Sequence, residues 1–202
     1  MIVMKESTVK RNPSTRKEIT HTRIVETAAR AIRRSGYDGT GVADIMKEAG
    51  LTHGGFYAHF ASRDAMLAEA ADQAGGETIA LAERIFAEVP DDQALQALMN
   101  AYLSNEHMAN IENGCALAAL GSEMPRQAPE VRKASTCRIK EMISLIKSKL
   151  TGQSKSNANA YEKAMVMIST MVGTLVLSRA VEDPELSEAF RQATLKHFDA
   201  KE

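Results

Sequence analysis

Tryptophan is missing from the 202 residues, and cysteine occurs only twice, at Cys115 and Cys137. Two thiols cannot build the disulfide framework of a small secreted domain, and their scarcity suits a reducing cytoplasm, the expected location. No run of eighteen apolar residues occurs, so no membrane span is expected. Met1 to Ser7 contains no apolar h-region, so no secretory signal is expected. β-Branched alternation is scarce, which argues against sheet. Glycine-rich phosphate loops and nucleophile–base–oxyanion patterns are absent, so an enzyme is not the expected class. What is plentiful is Ala, Leu, Met, Glu and Lys, the composition of an all-α chain. Its length allows one large or two small domains.

The net charge of −1 conceals a division. Residues 1–65 carry eleven Lys or Arg against seven Asp or Glu, a balance of +4. Residues 66–202 carry fourteen against nineteen, a balance of −5. A small nucleic-acid-binding head on an acidic body predicts such an asymmetry.

The most informative stretch runs from Gly36 to Leu67. Val42, Ile45, Met46 and Ala49 fall on one helical face, and Gly50 follows, suited to the left-handed conformation that ends a helix. Thr52 is placed to cap a second short helix over residues 53–60. That helix buries Phe56 and Phe60 and leaves His53, Gly54, Tyr57 and His59 to face outward. Helix, glycine turn and short helix form the pattern of a DNA-reading helix-turn-helix. Upstream, residues 1–14 read as a basic arm. A helix from about Thr15 to Ser35 buries Ile24, Val25, Ala28, Ala29 and Ile32, keeps Arg23, Arg30, Arg33 and Arg34 wet, and ends at Gly36.

Gly36-Tyr37, Thr40, Ala49-Gly50, Phe56-Tyr57, His59-Phe60 and Arg63 together resemble the amino-terminal pattern of TetR/AcrR-type transcriptional repressors. The resemblance is close over residues 17–68 and elsewhere covers only length and helical character. Gly41 stands where a second hydroxyl is common, and Met46 where Ala is usual. The resemblance implies a helix-turn-helix domain over residues 15–68 and a helical ligand-binding and dimerisation domain over residues 69–202. It also implies a homodimer on palindromic double-stranded operator DNA, released by a small-molecule effector.

The amino-terminal end of a recognition helix enters the major groove, which places Thr52, His53 and Gly54 near the bases. His53 is a candidate for a base contact or, equally, a phosphate contact. Tyr57 and His59 suit phosphate oxygens, with partial burial the alternative for Tyr57. Thr40 and Arg63, at helix starts, are further phosphate candidates.

In the body, Asp91-Asp92 is placed to cap a helix carrying Leu95, Leu98, Met99, Tyr102 and Leu103. Asn113-Gly114 precedes a shorter helix from Cys115 to about Met124. Another helix spans Glu130 to Leu150, a polar loop residues 151–158, and an apolar run Ala164 to Val181. Asp183-Pro184 starts the last helix. Val172, Leu175, Val176, Leu186 and Phe190 are the expected dimer surface, two helices from each subunit forming a bundle. Met99, Met142, Met167 and Met171 suit an adaptable apolar pocket or ordinary core, with Tyr102, Cys115 and Thr170 as polar contacts. Cys115 at a helix start could alternatively sense electrophiles. No cofactor or metal is expected, because Glu106, His107, Glu112 and Cys115 lack ligand spacing. Gly75-Gly76 lies inside a predicted long helix, as a hinge, a helix end or a point of close packing.

Overall fold

The computed structural model describes residues 15–153 and 159–199. Among them the chain is helical throughout, without strands. The basic arm, residues 1–14, lies outside the described residues.

The first helix, α1 (Arg16–Ser35), opens with a reciprocal cap. Thr15 Oγ1 accepts from Glu18 N at 3.2 Å, and the Glu18 carboxylate accepts from Thr15 N at 2.6 Å, which satisfies two donors that a helix start leaves unpaired. Its buried stripe is the expected one. Arg33 departs from expectation: it is 3% exposed, pairs with Glu77 at 2.6 Å and donates to Ala74 O at 3.4 Å. A helix crossing behind α1 supplies both partners, so the guanidinium is buried with an opposite charge.

Gly36 ends α1 at φ +75°, and Gly50 follows α2 (Val42–Glu48) at φ +71°. Both lie in the left-handed region that glycine enters without steric cost. The second short helix is a 3₁₀ helix, His53–Ala58. Thr52 occupies its cap position without making the expected side-chain cap bond.

The long helix α3 (Arg63–Glu88) starts behind Ser62, whose Oγ accepts from Ala65 N at 3.0 Å. It passes Gly75-Gly76 without a break. A Cβ on Gly75 would stand 2.6 Å from Cβ and Cγ of Arg138 on the opposing helix, so the glycine marks a close approach. Close packing thus accounts for Gly75, and neither a hinge nor a helix end is needed.

The body follows with α4 (Ala94–Tyr102), α5 (Asn105–Ala109), α6 (Ala116–Leu120), α7 (Pro129–Gln153), α8 (Ala160–Ala180) and α9 (Pro184–Asp199). α4 begins later than Asp91-Asp92 suggested, with Gln93 in the cap position, and Asp91 reaches Lys149 Nζ at 2.5 Å. The expected helix from Cys115 to Met124 shortens to α6 and a 3₁₀ turn, Met124–Arg126. α7 extends into the expected polar loop as far as Gln153, and residues 154–158 lie outside the described residues. α9 has a true cap: Asp183 Oδ1 accepts from Glu185 N at 2.9 Å and Leu186 N at 3.1 Å. Among the described helices, α8 alone is long and apolar enough to cross a membrane by length and composition. Its Ala164, Met167, Met171 and Leu175 are buried in the body, as a core helix requires.

Two buried clusters result. One unites α1, α2, the 3₁₀ helix and the first half of α3, and it also takes in Leu120 and Val131 from the body. The other joins the second half of α3 to α4, α7 and α8.

Candidate nucleic-acid interface and internal cavity

Phe56 and Phe60, ring centroids 5.5 Å apart, anchor the 3₁₀ helix in the first cluster. This anchoring turns Thr52, His53, Gly54 and Tyr57 outward, Tyr57 being 74% exposed. A Cβ on Gly54 would meet nothing within 4 Å, so that backbone is open to close approach. His59 is half-buried, and its Nδ1 is buried without a partner. Burial pushes its pKa down, and nearby His21 and Lys17 add to the effect. Sequence reasoning missed His21. It lies on α1, stacks on Phe60 at 4.5 Å and pairs with Glu69 at 2.6 Å. Its position three residues before Ile24, on the buried stripe, was the available signal.

Two phosphate candidates turn inward. Thr40 is 4% exposed and donates to Gly36 O at 2.7 Å, with Ala31 O 3.3 Å away. Arg63 Nη2 donates to the carbonyls of Tyr37 and Thr40. The turn after α1 exposes carbonyls that no helix satisfies, and these side chains satisfy them.

Head and body are also tied outside α3. Glu123 accepts from Tyr37 N at 2.8 Å. Arg34 bridges Glu48 at 2.7 Å and Glu112 at 3.1 Å, and these carboxylates raise its pKa.

Between α3, α4, α6, α7 and α8 lies an apolar cavity of about 110 Å³. Tyr102, Cys115, Met142 and Met171, four of the residues the sequence suggested for a pocket, line it. Met99 and Met167 do not reach it and are buried in the surrounding core. Thr170 also stands off: its hydroxyl donates back to Val166 O at 2.9 Å, a bond within α8. Tyr37, assigned by the sequence only to the reader motif, forms part of the wall together with Ser135 and His107. Burial raises the Tyr37 pKa to about 12, with Ser135 partly offsetting the effect. Burial pushes Tyr102 well above its ordinary value, and neighbouring Cys115 adds to it.

His107 holds one tautomer. Its Nε2 accepts from Cys115 N at 3.0 Å, so Nδ1 carries the proton donated to Tyr102 O at 2.6 Å. Burial lowers its pKa, the bond to Tyr102 opposes this, and the Arg179 charge adds to it. Arg179 donates to His107 O at 2.6 Å. Cys115 precedes a five-residue helix and is 7% exposed, whereas Cys137 is the exposed thiol. Burial works against the proposed access of electrophiles to Cys115.

The expected dimer surface divides. Leu175 is fully buried, because its face of α8 packs into the body. Val172 and Phe190 are half-buried, and Val172 faces the cavity. Val176 and Leu186 are exposed, and Leu177 and Val166 join them on the surface. An open hollow of about 540 Å³, lined in part by Ile143, Met165 and Val176, adjoins this stripe.

A glycine-turned helix pair that exposes its reading segment, joined by one long helix to a hollow body, defines a helix-turn-helix regulator of transcription. The chain belongs to the TetR family: residues 24–70 match "Bacterial regulatory proteins, tetR family", and residues 92–199 match "Transcriptional regulator LmrA/YxaF-like, C-terminal domain". It is similar to the HTH-type transcriptional regulator LmrA of Bacillus subtilis, 27% identical over 158 residues, covering 77% of this chain and 84% of that one. An uncharacterised HTH-type regulator from Mycobacterium tuberculosis is 27% identical over 168 residues, covering 80% and 84%. A TetR regulator from Chloroflexus aurantiacus superposes with a TM-score of 0.77 at 25% identity, over 92% of this chain and 96% of that one. A Cytophaga hutchinsonii regulator shares the fold at TM-score 0.81 and 17% identity, over 95% and 100%.

Proposed function

We propose that this protein is a ligand-responsive transcriptional repressor, acting in the cytoplasm as a homodimer on a palindromic operator. The observation that carries the reading is Tyr37, one residue shared by the reader's core and the wall of the body's cavity. An occupant of the cavity therefore meets the DNA-binding head directly, as well as through α3. His53, Gly54 and Tyr57 enter or flank the major groove, with Thr52 beside them and His59 at the edge. The exposed stripe of Val166, Val176, Leu177 and Leu186 meets its copy and sets two heads on successive groove faces, about 34 Å apart.

Fluorescence anisotropy with DNA from the gene's own upstream region, at several salt concentrations, tests the reading. Salt-dependent binding to one sequence far above random DNA is expected. Leu177→Glu is expected to give a folded monomer that loses it. Failure to prefer any upstream sequence would remove the proposal.

A further inference from the structure

Tyr37 and Tyr102 present the cavity with an unusual demand. Both residues line it, they are 0% and 9% exposed, and neither buried hydroxyl makes a hydrogen bond of good geometry, the Ser135 hydroxyl beside Tyr37 and the Cys115 thiol beside Tyr102 being the polar neighbours. Buried polar groups are nearly always satisfied, and an unsatisfied one costs stability. Two such groups beside one cavity call for a common explanation.

Apart from Ser135 and the Cys115 thiol, which adjoin the two phenols, the other polar side chains around the cavity are already occupied. His107 uses both ring nitrogens. Thr78 donates to Ala74 O at 3.1 Å. Asn113 donates to Asn110 Oδ1 at 2.9 Å. Arg138 is held by Asp72, at 2.8 and 2.6 Å, and by Glu141 at 2.8 Å. The rest of the wall is largely hydrocarbon, including Ile79, Ile85, Leu98, Ile139 and Ile146. A charged occupant would leave water without gaining an uncommitted counter-charge, an unfavourable transfer.

We infer that the cavity selects a neutral, mostly apolar molecule carrying two separated hydrogen-bonding oxygens, one for the Tyr37 hydroxyl and one for the Tyr102 hydroxyl. The inference rests on the ligand-responsive reading and names the chemistry of its effector. Each phenol O–H donates to a carbonyl, ester or ether oxygen, and the apolar body between the two oxygens fills the hydrocarbon wall. The Tyr37 end is the informative one. The same residue gives its N–H to Glu123 and its carbonyl to Arg63, so a ligand there engages the joint between head and body.

Matched probes test this on the full-length protein. Dimethyl esters of the straight α,ω-diacids from succinic to suberic are neutral, with an acceptor at each end. The free diacids are their charged counterparts, and graded length accommodates the separation of the two hydroxyls. By isothermal titration calorimetry, at least one diester is expected to bind ten or more times as tightly as its diacid. Tyr37→Phe and Tyr102→Phe are each expected to weaken that diester by roughly three- to tenfold. Without ligand, both variants should melt at or above the parent's temperature, because neither hydroxyl makes a hydrogen bond of good geometry in the free protein.

Diacids binding as tightly as diesters, no diester binding at millimolar concentration, or a clear fall in either ligand-free melting temperature would overturn the inference. Diester binding without any effect on operator affinity would leave the ligand chemistry standing and remove the ligand-responsive reading. Release from DNA by a charged effector in the same cavity would do the reverse.

Discussion

In the head, Ile24, Ile32, Tyr37, Met46, Met66 and Leu67 are all sealed from solvent. In the body, side chains of the same chemistry surround an open cavity and leave Val166, Val176, Leu177 and Leu186 on the surface. The same building material therefore serves two ends. A closed core fixes the backbone that presents His53 and Tyr57, and a reader needs that fixity. An open core gives up packing energy but leaves room for a ligand or a second arrangement of helices.

A matched pair of substitutions breaks this comparison most directly. Met46→Ala, in the closed core, is expected to cost about 2–5 kcal/mol. Met142→Ala, half-buried beside existing space, is expected to cost less than about 2 kcal/mol. Urea denaturation measures both, and equal losses would show that the two cores are equally tight.

The adjacent glycines of α3 give a second contrast. Gly75→Ala forces a Cβ against the stem of Arg138, which its ion pairs hold in place, and should cost about 1–3 kcal/mol. At Gly76 the nearest atom to a new Cβ, Arg138 Cζ, is 3.7 Å away, an ordinary contact. Gly76→Ala should therefore gain up to about 1 kcal/mol from helix propensity. Thermal melts of the two single variants decide it: similar behaviour would remove the close-packing account of Gly75.

A third pair separates structure from DNA contact inside the head. Arg63→Ala should destabilise by about 1–3 kcal/mol by freeing two carbonyls, with the salt dependence of DNA binding unchanged. Tyr57→Phe should change stability by less than about 0.5 kcal/mol and still weaken binding to all sequences alike. If Arg63→Ala melts like the parent but lowers the salt slope, Arg63 is a phosphate ligand after all.

The smallest expected effect is on pH. His107 has a folded-state pKa below its ordinary 6.5. It therefore binds fewer protons folded than unfolded near that pH. Stability rises with pH there and is lost as pH falls through 6.5. His59 shifts in the same direction and adds to the trend. Melting temperatures measured from pH 7.5 down to 5 should decline, and His107→Gln should decline less steeply. An unchanged slope in the variant would assign the pH dependence elsewhere.

The reader was legible because its signals are local. Gly36 and Gly50 announce positive φ, and the spacing of Ile24, Ala28 and Ile32 shows which face is buried. Arg33 was not legible: its partner Glu77 lies forty-four residues further on, and a helical stripe carries no record of what crosses behind it. Thr40 and Arg63 have the polarity of phosphate ligands, but the same polarity suits carbonyls stranded at a turn. α8 misled differently. It is apolar almost all round, so periodicity could not separate buried Leu175 from exposed Leu177, or place Met171 at the cavity and Thr170 away from it. Gly75 shows the same ambiguity, since a local weakness and a tight crossing leave identical marks on the sequence.

The sharing of Tyr37, Leu120 and Val131 between the two halves bears on how such regulators could be recombined. A chimera spliced at the start of α3 would carry Tyr37, part of the wall of the body's cavity, away with the DNA-binding head. The transferred head would lose the Glu123 carboxylate that accepts from Tyr37 N and the Leu120 and Val131 side chains that finish its core. A working exchange must move those three body residues together with residues 15–68. The transferable module of this protein is a discontinuous set of positions, and a library built from contiguous segments would miss it.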